Sequence, residues 1–404
     1  MKYRFLFLLL FVSNVILAQT TITGRVFIDN QPIEGAAVYF NNTMVGTTTN
    51  NKGEFLFKIR EGQYQLIISY IGYKKISYDI NTNDFKKLLR FNLVEEENIL
   101  DEIIIKNTVY DDDWKYNLKS FEREFIGISN LSKKCKIQNP KVLFFEYNSK
   151  KNVFEAFARK PLIIKHKDLG YLITYDLVSF VKKGNYITIT GYSRYQNLKG
   201  GKRKKRKWQK NRLEAYNGSR VHFFKSVMNS KIDEEGFVIN QFKRVKNPDR
   251  PSEKEIKKAR QLIRLSMSMI DFSKKIVTPK TALDSALLVS RKINLPKFKD
   301  YLYKSKLKSK DILEKVKEQY FLSFKDNLSI VYTKEKEEIA YILRNSFSKM
   351  RDPLPQTSSF LPLKMPLELD KRGVLVNPLD VIYEGYWSYE KLANMLPLDY
   401  ESHK

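Results

Sequence analysis

The sequence predicts an N-terminal all-β sandwich followed by a larger α+β domain. Residues 19–96 contain short apolar runs with turn signals between them, repeating about every 8–12 residues, which is typical of a β-sandwich. Residues 110–404 instead mix alternating runs with segments of helical periodicity. Basic residues strongly outnumber acidic ones in this second region, which favours anionic partners.

Residues 1–18 are predicted to be a secretory signal peptide. Lys2 and Arg4 form a basic start, residues 5–12 form an apolar core, and Ala18 precedes the expected cleavage site. The apolar core is short for a membrane span. We therefore expect an exported chain without a transmembrane span, located in the periplasm or associated with the outer membrane.

The sandwich region, residues 19–96, contains seven predicted strands: 22–28, 35–40, 44–48, 55–59, 64–70, 75–80 and 88–94. Asn50 and Gly53 bound a tight turn, where a left-handed backbone suits Asn or Gly. The inward apolar positions predict a core of its own, formed by Val26, Val38, Phe55, Phe57, Leu66 and Ile68.

Glycines and aromatic residues of this region follow the order of a known family. The pattern is carried by residues 24–26, 32–38, 46–55, 62–64 and 69–73. It resembles the carboxypeptidase regulatory-like domain, a transthyretin-like sandwich. The resemblance implies a non-catalytic domain of the kind found at the N-terminus of TonB-dependent receptors and other exported proteins of Bacteroidetes-type bacteria.

Residues 97–109 are predicted to link the two domains as an extended strand. The stretch that follows the sandwich is similar to the TonB box of those receptors, and the resemblance implies a partner strand formed by Leu100, Asp101, Glu102, Ile103, Ile104 and Ile105. Because exposed isoleucines would be an aggregation hazard, we expect the segment to be buried against one of the domains. A free strand that contacts TonB is the alternative. The residues beyond it are too few for a receptor barrel, so we expect no pore.

Positive charge is concentrated in the second region. The chain has 73 Lys and Arg against 45 Asp and Glu, a net charge of +28. Residues 19–109 hold 10 basic and 11 acidic residues, so nearly the whole excess lies in residues 110–404. For an exported protein this favours lipopolysaccharide, anionic lipid or acidic glycan as partner, or another envelope protein. Nucleic acid is not favoured, because aromatic residues are not interleaved with the cations.

Residues 199–212 form the densest basic patch, with nine basic residues in fourteen and no acidic one. Gly200 and Gly201 predict a loop. The loop is either solvated and self-repelling or an anion-binding element. The second hypothesis assigns these residues to the site: Lys202, Arg203, Lys204, Lys205, Arg206, Lys207, Trp208, Lys210 and Arg212.

Residues 110–404 are predicted to contain helices over 110–126, 213–228, 252–269, 283–293 and 311–320. Strands are predicted over 142–145, 153–157, 162–164, 171–181, 186–190, 328–333 and 339–343, the first five of them as one meander. Ser252 and Glu255 have the spacing of a capping box. Residues 212–224 and 385–400 resemble uncharacterised exported proteins that carry the same sandwich.

Signals of enzymatic chemistry are sparse. The chain has three histidines, His166, His222 and His403, without a zinc-binding spacing, and it has no P-loop or dinucleotide fingerprint. We therefore predict no cofactor and no metal. Ser219 and His222 are close enough on a predicted helix to meet, and carboxylate pairs need no sequence proximity. Cys135 is the single cysteine and is expected to be buried.

These observations predict a non-catalytic exported binding or scaffolding protein of the cell envelope. One alternative is an enzyme that acts on envelope glycans or peptides, which would require carboxylates, or Ser219 and His222, to converge in one pocket. The other is a TonB-coupled accessory protein without its own pore.

Overall fold

The computed structural model describes residues 19–83, 85, 87–96, 109–270, 277–317, 319–344 and 349–402. It confirms the predicted fold class, a β-sandwich followed by a mixed α and β region. The predicted signal peptide, the strand at Leu100 to Ile105 and His403 lie outside the described residues. Among the described residues, no helix combines the length and the apolarity that a membrane crossing requires.

The sandwich contains the strands β1 (Gln19–Ile28), β2 (Gln31–Pro32), β3 (Ala37–Phe40), β4 (Gly46–Thr48), β5 (Glu54–Arg60), β6 (Gln63–Ser69), β7 (Ile76–Asn81) and β8 (Leu89–Leu93). One sheet has the order β2-β1-β5, with β8 parallel to β1, and the other has the order β4-β3-β6-β7. All seven predicted strands are observed, and β2 is added to them.

Buried and exposed residues alternate along the strands, and the buried apolar side chains form the core of the sandwich. In β5, Phe55, Phe57 and Ile59 are buried, whereas Leu56 and Lys58 are exposed. The six predicted core residues are all buried. Gly53 has a φ of +68°, and a β-carbon there would lie 2.6 Å from the carbonyl oxygen of Val26, which explains the glycine at this turn.

The next part of the chain contains α1 (Asp112–Phe125), β9 (Cys135–Ile137), β10 (Leu143–Asn148), β11 (Val153–Ala158), β12 (Leu162–His166), β13 (Tyr171–Lys183) and β14 (Tyr186–Asn197). The sheet has the order β10-β11-β13-β12-β9, and β14 also pairs with β13. The prediction of a simple meander was wrong. Because β13 is 13 residues long, β11 and β12 pair with different halves of it.

Two predictions between residues 199 and 228 were also wrong. The basic segment is not a loop, because it forms α2 (Lys202–Tyr216), with Gly201 as its N-cap. The predicted helix over 213–228 is interrupted. Gly218, with a φ of +70°, separates α2 from α3 (Arg220–Met228), and the side chain of Ser219 caps α3.

The remaining elements are α4 (Ile232–Glu235), β15 (Phe237–Lys246), α5 (Glu253–Leu265), α6 (Ala282–Lys292), β16 (Phe298–Lys304), β17 (Leu313–Val316), β18 (Gln319–Leu322), β19 (Asn327–Lys336), α7 (Ile339–Ile342), β20 (Pro355–Pro362), β21 (Leu367–Leu369), β22 (Val381–Gly385) and α8 (Tyr386–Tyr389). One sheet has the order β16-β15-β19-β20-β22, and a smaller one has the order β17-β18-β21. Single 3₁₀ turns occur at Asn130–Lys134, Pro140–Val142, Met267–Met269, Ser309–Asp311, Pro378–Asp380 and Leu392–Asn394.

Several predicted elements of this part are confirmed, including the capping box of Ser252 and Glu255 at the start of α5. Two are wrong. Residues 311–320 form strands rather than a helix, because Lys317 adopts a positive φ and turns the chain between β17 and β18. Residues 339–343 form the short helix α7 rather than a strand, with Tyr341 and Ile342 packed inward.

The sandwich is joined to the second region by backbone hydrogen bonds. The N–H of Asn42 donates to Ser193 at 2.7 Å, and the N–H of Tyr195 donates to Thr43 at 2.9 Å, so the loop after β3 lies along β14. Leu398, close to the end of the chain, donates to Asn42 at 2.7 Å. Each region nevertheless has its own apolar core, and Cys135 is buried in the core around β13, as predicted.

Candidate anion-binding surface

One face of α2 is anchored to the loop between β12 and β13, residues 167–170. Three successive carbonyl groups of this loop accept hydrogen bonds of 2.8 Å from the helix: Lys167 from Trp208, Asp168 from Asn211, and Leu169 from Arg212. The three donors are spaced by three and one residues and therefore share a face of the helix. The orientation of α2 relative to the sheet is thereby fixed.

The indole of Trp208 lies between two glycines. A β-carbon on Gly170 or on Gly200 would lie 2.2 Å or 2.5 Å from the ring, so both positions need the absence of a side chain. Trp208 itself is buried. It therefore anchors the helix and is not available as a stacking surface for a ligand.

Arg212 is also an anchor rather than a free cation. Its guanidinium lies 3.9 Å from the centre of the Tyr171 ring, and its Nη2 donates to Oδ1 of Asn197 at 2.9 Å. Burial lowers the pKa of Arg212. The structure thus separates Trp208 and Arg212 from the other residues assigned to the anion-binding site.

The other seven residues of the predicted site, Lys202 to Lys207 and Lys210, are exposed on α2. Arg203, Arg206 and Lys210 are spaced by three and four residues and form a cationic stripe on the side opposite the anchors. Within the described residues, none of the three forms an ion pair, whereas Lys207 lies 3.1 Å from Asp168. The stripe is therefore open to an external anion.

The first turn of α2 has no acidic residue and contains three cations. The N-terminus of a helix carries partial positive charge, so cations there are unfavourable by a few tenths of a kcal/mol each. Like charges four residues apart add to this cost. The cations of α2 therefore lower the stability of the start of the helix and concentrate positive charge on its exposed side.

A groove of about 490 Å³ lies beside the first half of α2. It is lined by Asn197, Leu198, Lys199, Gly200, Lys205, Trp208, Gln209 and Arg212. Asn197, Leu198 and Gln209 were not among the site residues predicted from the sequence. The helical spacing of Trp208, Asn211 and Arg212 was the signal that could have revealed a helix with one packed face.

Ser219 and His222 do not form a nucleophile and a base. The Oγ of Ser219 accepts the backbone N–H of His222, as a helix cap does. The Nδ1 of His222 accepts the N–H of Gly218 at 3.1 Å, and its Nε2 lies 3.2 Å from Glu235. Both ring nitrogens are thus engaged away from the serine hydroxyl.

Carboxyl groups from distant parts of the chain meet near α7 and α8. Burial raises the pKa of Glu335 to about 7, against hydrogen bonds from Asn217 and Gln356. Burial also raises the pKa of Glu390 to about 8, against the charge of Arg220, and the charges of Glu335 and Glu338 add to the increase. Sequence reasoning missed this cluster because nothing in the local sequence pattern indicates it. Within the described residues, no group of three or more His, Cys, Asp or Glu side chains is arranged to hold a metal.

Comparisons with known proteins concern mainly the N-terminal part. Residues 22–105 match the family model of the CarboxypepD_reg-like domain, which confirms the resemblance seen in the sequence. The TonB-dependent receptor P39 of Formosa agariphila is 33% identical over 105 residues, which are 25% of this chain and 10% of the receptor. The chain thus spans about a tenth of the length of that relative.

A solved structure of a DUF3823 family protein from Bacteroides ovatus is similar over 46% of this chain and 83% of its own, with a TM-score of 0.16 and 9% identity. The match to the family model shows that the N-terminal part of the chain is a CarboxypepD_reg-like domain, and the chain has a stretch similar to part of a TonB-dependent receptor.

Proposed function

We propose that this protein is an exported, non-catalytic binding protein of the cell envelope, and that α2 holds it on an anionic surface. The observation that carries this proposal is the stripe of Arg203, Arg206 and Lys210, exposed on a helix whose opposite face is fixed by hydrogen bonds. A rigid row of cations attracts anions without the entropic cost of ordering a loop.

The physical size of the effect is sufficient for membrane association. A Lys or Arg close to an anionic lipid surface contributes about 1 kcal/mol, and the attraction fades within a Debye length of about 8 Å at physiological salt. Several cations on one face of α2 therefore give a binding free energy that falls steeply as salt is added. Lipopolysaccharide, anionic lipid and acidic glycan all offer the required charge.

Export is supported by the basic and apolar pattern of residues 1–18 and by the domain that follows it. Intact-mass analysis of the protein from the envelope fraction tests this. The expected mature N-terminus is Gln19, and a retained Met1 contradicts export.

The binding test compares two variants with equal loss of charge. Arg203→Gln, Arg206→Gln and Lys210→Gln remove the stripe and keep good helix formers on α2. The control replaces Lys150, Lys151 and Lys183 by Gln, three exposed lysines at the ends of the β10–β11 and β13–β14 pairs. Co-sedimentation with vesicles that contain phosphatidylglycerol, and with lipopolysaccharide, measures the affinity.

We expect the stripe variant to bind about tenfold or more weakly at low salt, with a melting temperature equal to or slightly above that of the unaltered protein, and the control to lose much less. Equal losses in the two variants would mean that net charge alone acts and that α2 has no special role.

An envelope enzyme that acts on glycans or peptides is the second candidate. It is favoured by Glu335 and Glu390, whose raised pKa values near 7 and 8 are suited to proton transfer. The double variant Glu335→Gln and Glu390→Gln, assayed for release of fragments from purified cell-wall glycan and peptide, tests it. No fragment release by the unaltered protein excludes this candidate.

A further inference from the structure

The helices α5 and α6 form an arm on the sheet that contains β15 and β16. At the base of the arm, the residues before α5 are hydrogen-bonded to the residues after α6. Asn247 donates to the carbonyl of Pro296 at 2.9 Å, and Arg250 donates to that of Leu295 at 3.0 Å. The two helices pack against each other. Because α5 has 13 residues at 1.5 Å each, its last residue lies about 20 Å from the base.

The far end of this arm presents large apolar side chains to solvent. Leu265 is 76% exposed, Met267 is 65% exposed and Val277 is 79% exposed. Leu265 ends α5, Met267 follows it, and Val277 precedes α6, so all three belong to the same end of the antiparallel pair. Exposed apolar side chains gathered at one end of a projecting element mark an interaction site.

The flanks of the arm are cationic. The described residues of this stretch, 253–270 and 277–292, contain 8 Lys and Arg against 3 Asp and Glu. The inner sides of the helices bury Ile256, Ala259 and Ala286, and the cations Lys257, Arg260 and Arg264 are exposed on α5. Apolar residues at a tip with cations behind them are the pattern of a segment that enters the headgroup region of an anionic bilayer.

We propose that the tip of the arm, defined by Leu265, Met267 and Val277, inserts into the interface of a bilayer that contains anionic lipid. This inference rests on the proposed envelope function and makes it specific, since it assigns a lipid bilayer as the partner rather than a glycan. The cations of the arm and of α2 bring the protein to the surface, and the apolar tip adds burial that salt does not screen.

The test uses the full mature protein and vesicles of phosphatidylcholine with about one third phosphatidylglycerol. The tip variant carries Leu265→Ser, Met267→Ser and Val277→Ser. The control carries Leu56→Ser, Ile71→Ser and Val178→Ser, which are exposed apolar residues of the sandwich and of β13. We expect the tip variant to bind about tenfold more weakly and to lose the binding that persists at high salt, while the control binds as the unaltered protein does.

A second readout reports insertion directly. In the Val277→Trp variant, the emission of the added tryptophan is obtained by subtracting the spectrum of the unaltered protein. We expect this emission to shift to the blue when vesicles are added and to be quenched by brominated lipid. Unchanged affinity of the tip variant together with no quenching overturns the insertion. If the stripe variant of α2 binds normally while the tip variant does not, α2 loses its proposed role and the tip keeps its own.

Discussion

The ring of Trp208 covers the backbone of Gly170 so closely that a β-carbon on Gly170 would lie 2.2 Å from Cδ2 of the indole. This contact, together with the hydrogen bond from Trp208 to Lys167, fixes the basic helix on the loop that precedes β13. Glycine is required at position 170 for a second reason, because its φ of +70° is unfavourable for a residue with a side chain. The orientation of the cationic stripe therefore depends on one residue that carries no charge.

Replacing Gly170 by Ala is expected to destabilise the protein by about 3 kcal/mol, the sum of a positive φ and of a displaced indole. Gly184→Ala is the matched control, because its φ is +61° and no atom lies within 4 Å of the added carbon. The control should cost about 1 kcal/mol. Urea unfolding followed by tryptophan fluorescence measures both. Equal costs would show that Trp208 moves aside freely.

The contact between the sandwich and the second region is sensitive to a single hydroxyl. The Tyr39 hydroxyl donates to the buried carboxylate of Asp176 at 3.0 Å, and Lys75 lies 3.1 Å from the same carboxylate. Burial, and then Asp176, raise the pKa of Tyr39 far above its usual range. Tyr39→Phe leaves Asp176 with one partner fewer and should destabilise the protein by about 2 kcal/mol.

Tyr78→Phe is the control for this change, because Tyr78 lies in the same sandwich and is exposed. Its effect should stay within about 0.5 kcal/mol. Thermal unfolding of the two variants at neutral pH decides the matter. Similar small shifts would mean that the hydroxyl of Tyr39 contributes nothing to the junction.

The half-buried carboxyl group of Glu390 makes stability depend on pH with a defined sign. Its folded-state pKa is raised to about 8 from the value of 4.5 expected when unfolded. A raised pKa means that this stabilising contribution is complete below about pH 4.5 and is lost as the pH rises through about 8. Glu335, with a pKa near 7, acts in the same direction.

Glu390→Gln removes the ionisable group and should therefore stabilise the protein by about 2 kcal/mol at pH 9, with almost no effect at pH 4.5. Glu314→Gln, on the exposed face of β17, serves as the control and should show no such trend. His166, whose pKa burial lowers, contributes equally to both proteins and cancels in the difference. Unfolding free energies across this pH range check the prediction. A constant difference between the variant and the unaltered protein would contradict it.

The sandwich could be predicted because its information is local. The alternation of buried and exposed residues in β5 and the turn at Gly53 each depend on only a few neighbouring residues. The same features occur in the same order in a known domain. The spacing of Trp208, Asn211 and Arg212 is a local sign of a helix with one packed face, but the loop that this face contacts, residues 167–170, lies about 40 positions away in the chain and could not be predicted. The paired glycines before the basic helix indicate a loop locally, whereas Gly200 makes room for Trp208 and Gly201 caps the helix. The cluster of Glu335 and Glu390 is equally non-local and has no sequence signature.

The isoleucine-rich segment, Leu100 to Ile105, lies outside the described residues, so its burial stays a prediction. The chain is still held by the sandwich at Glu96, whose N–H donates to the carbonyl of Gly72 at 3.0 Å. The family match continues to residue 105. A strand so rich in β-branched residues either pairs within the protein or offers its edge to a partner.

Hydrogen exchange of amides 102–105 distinguishes these two states. We expect strong protection in the free protein, because an exposed run of isoleucines would promote aggregation and the backbone of a paired strand exchanges slowly. Ile104→Lys should then destabilise the protein by about 2 kcal/mol or more, since it places a charge in an apolar contact. Glu97→Lys, in the acidic stretch before the segment, is the control and should be nearly neutral. Rapid exchange that slows only when a TonB C-terminal domain is added would instead identify the chain as a TonB-coupled accessory protein.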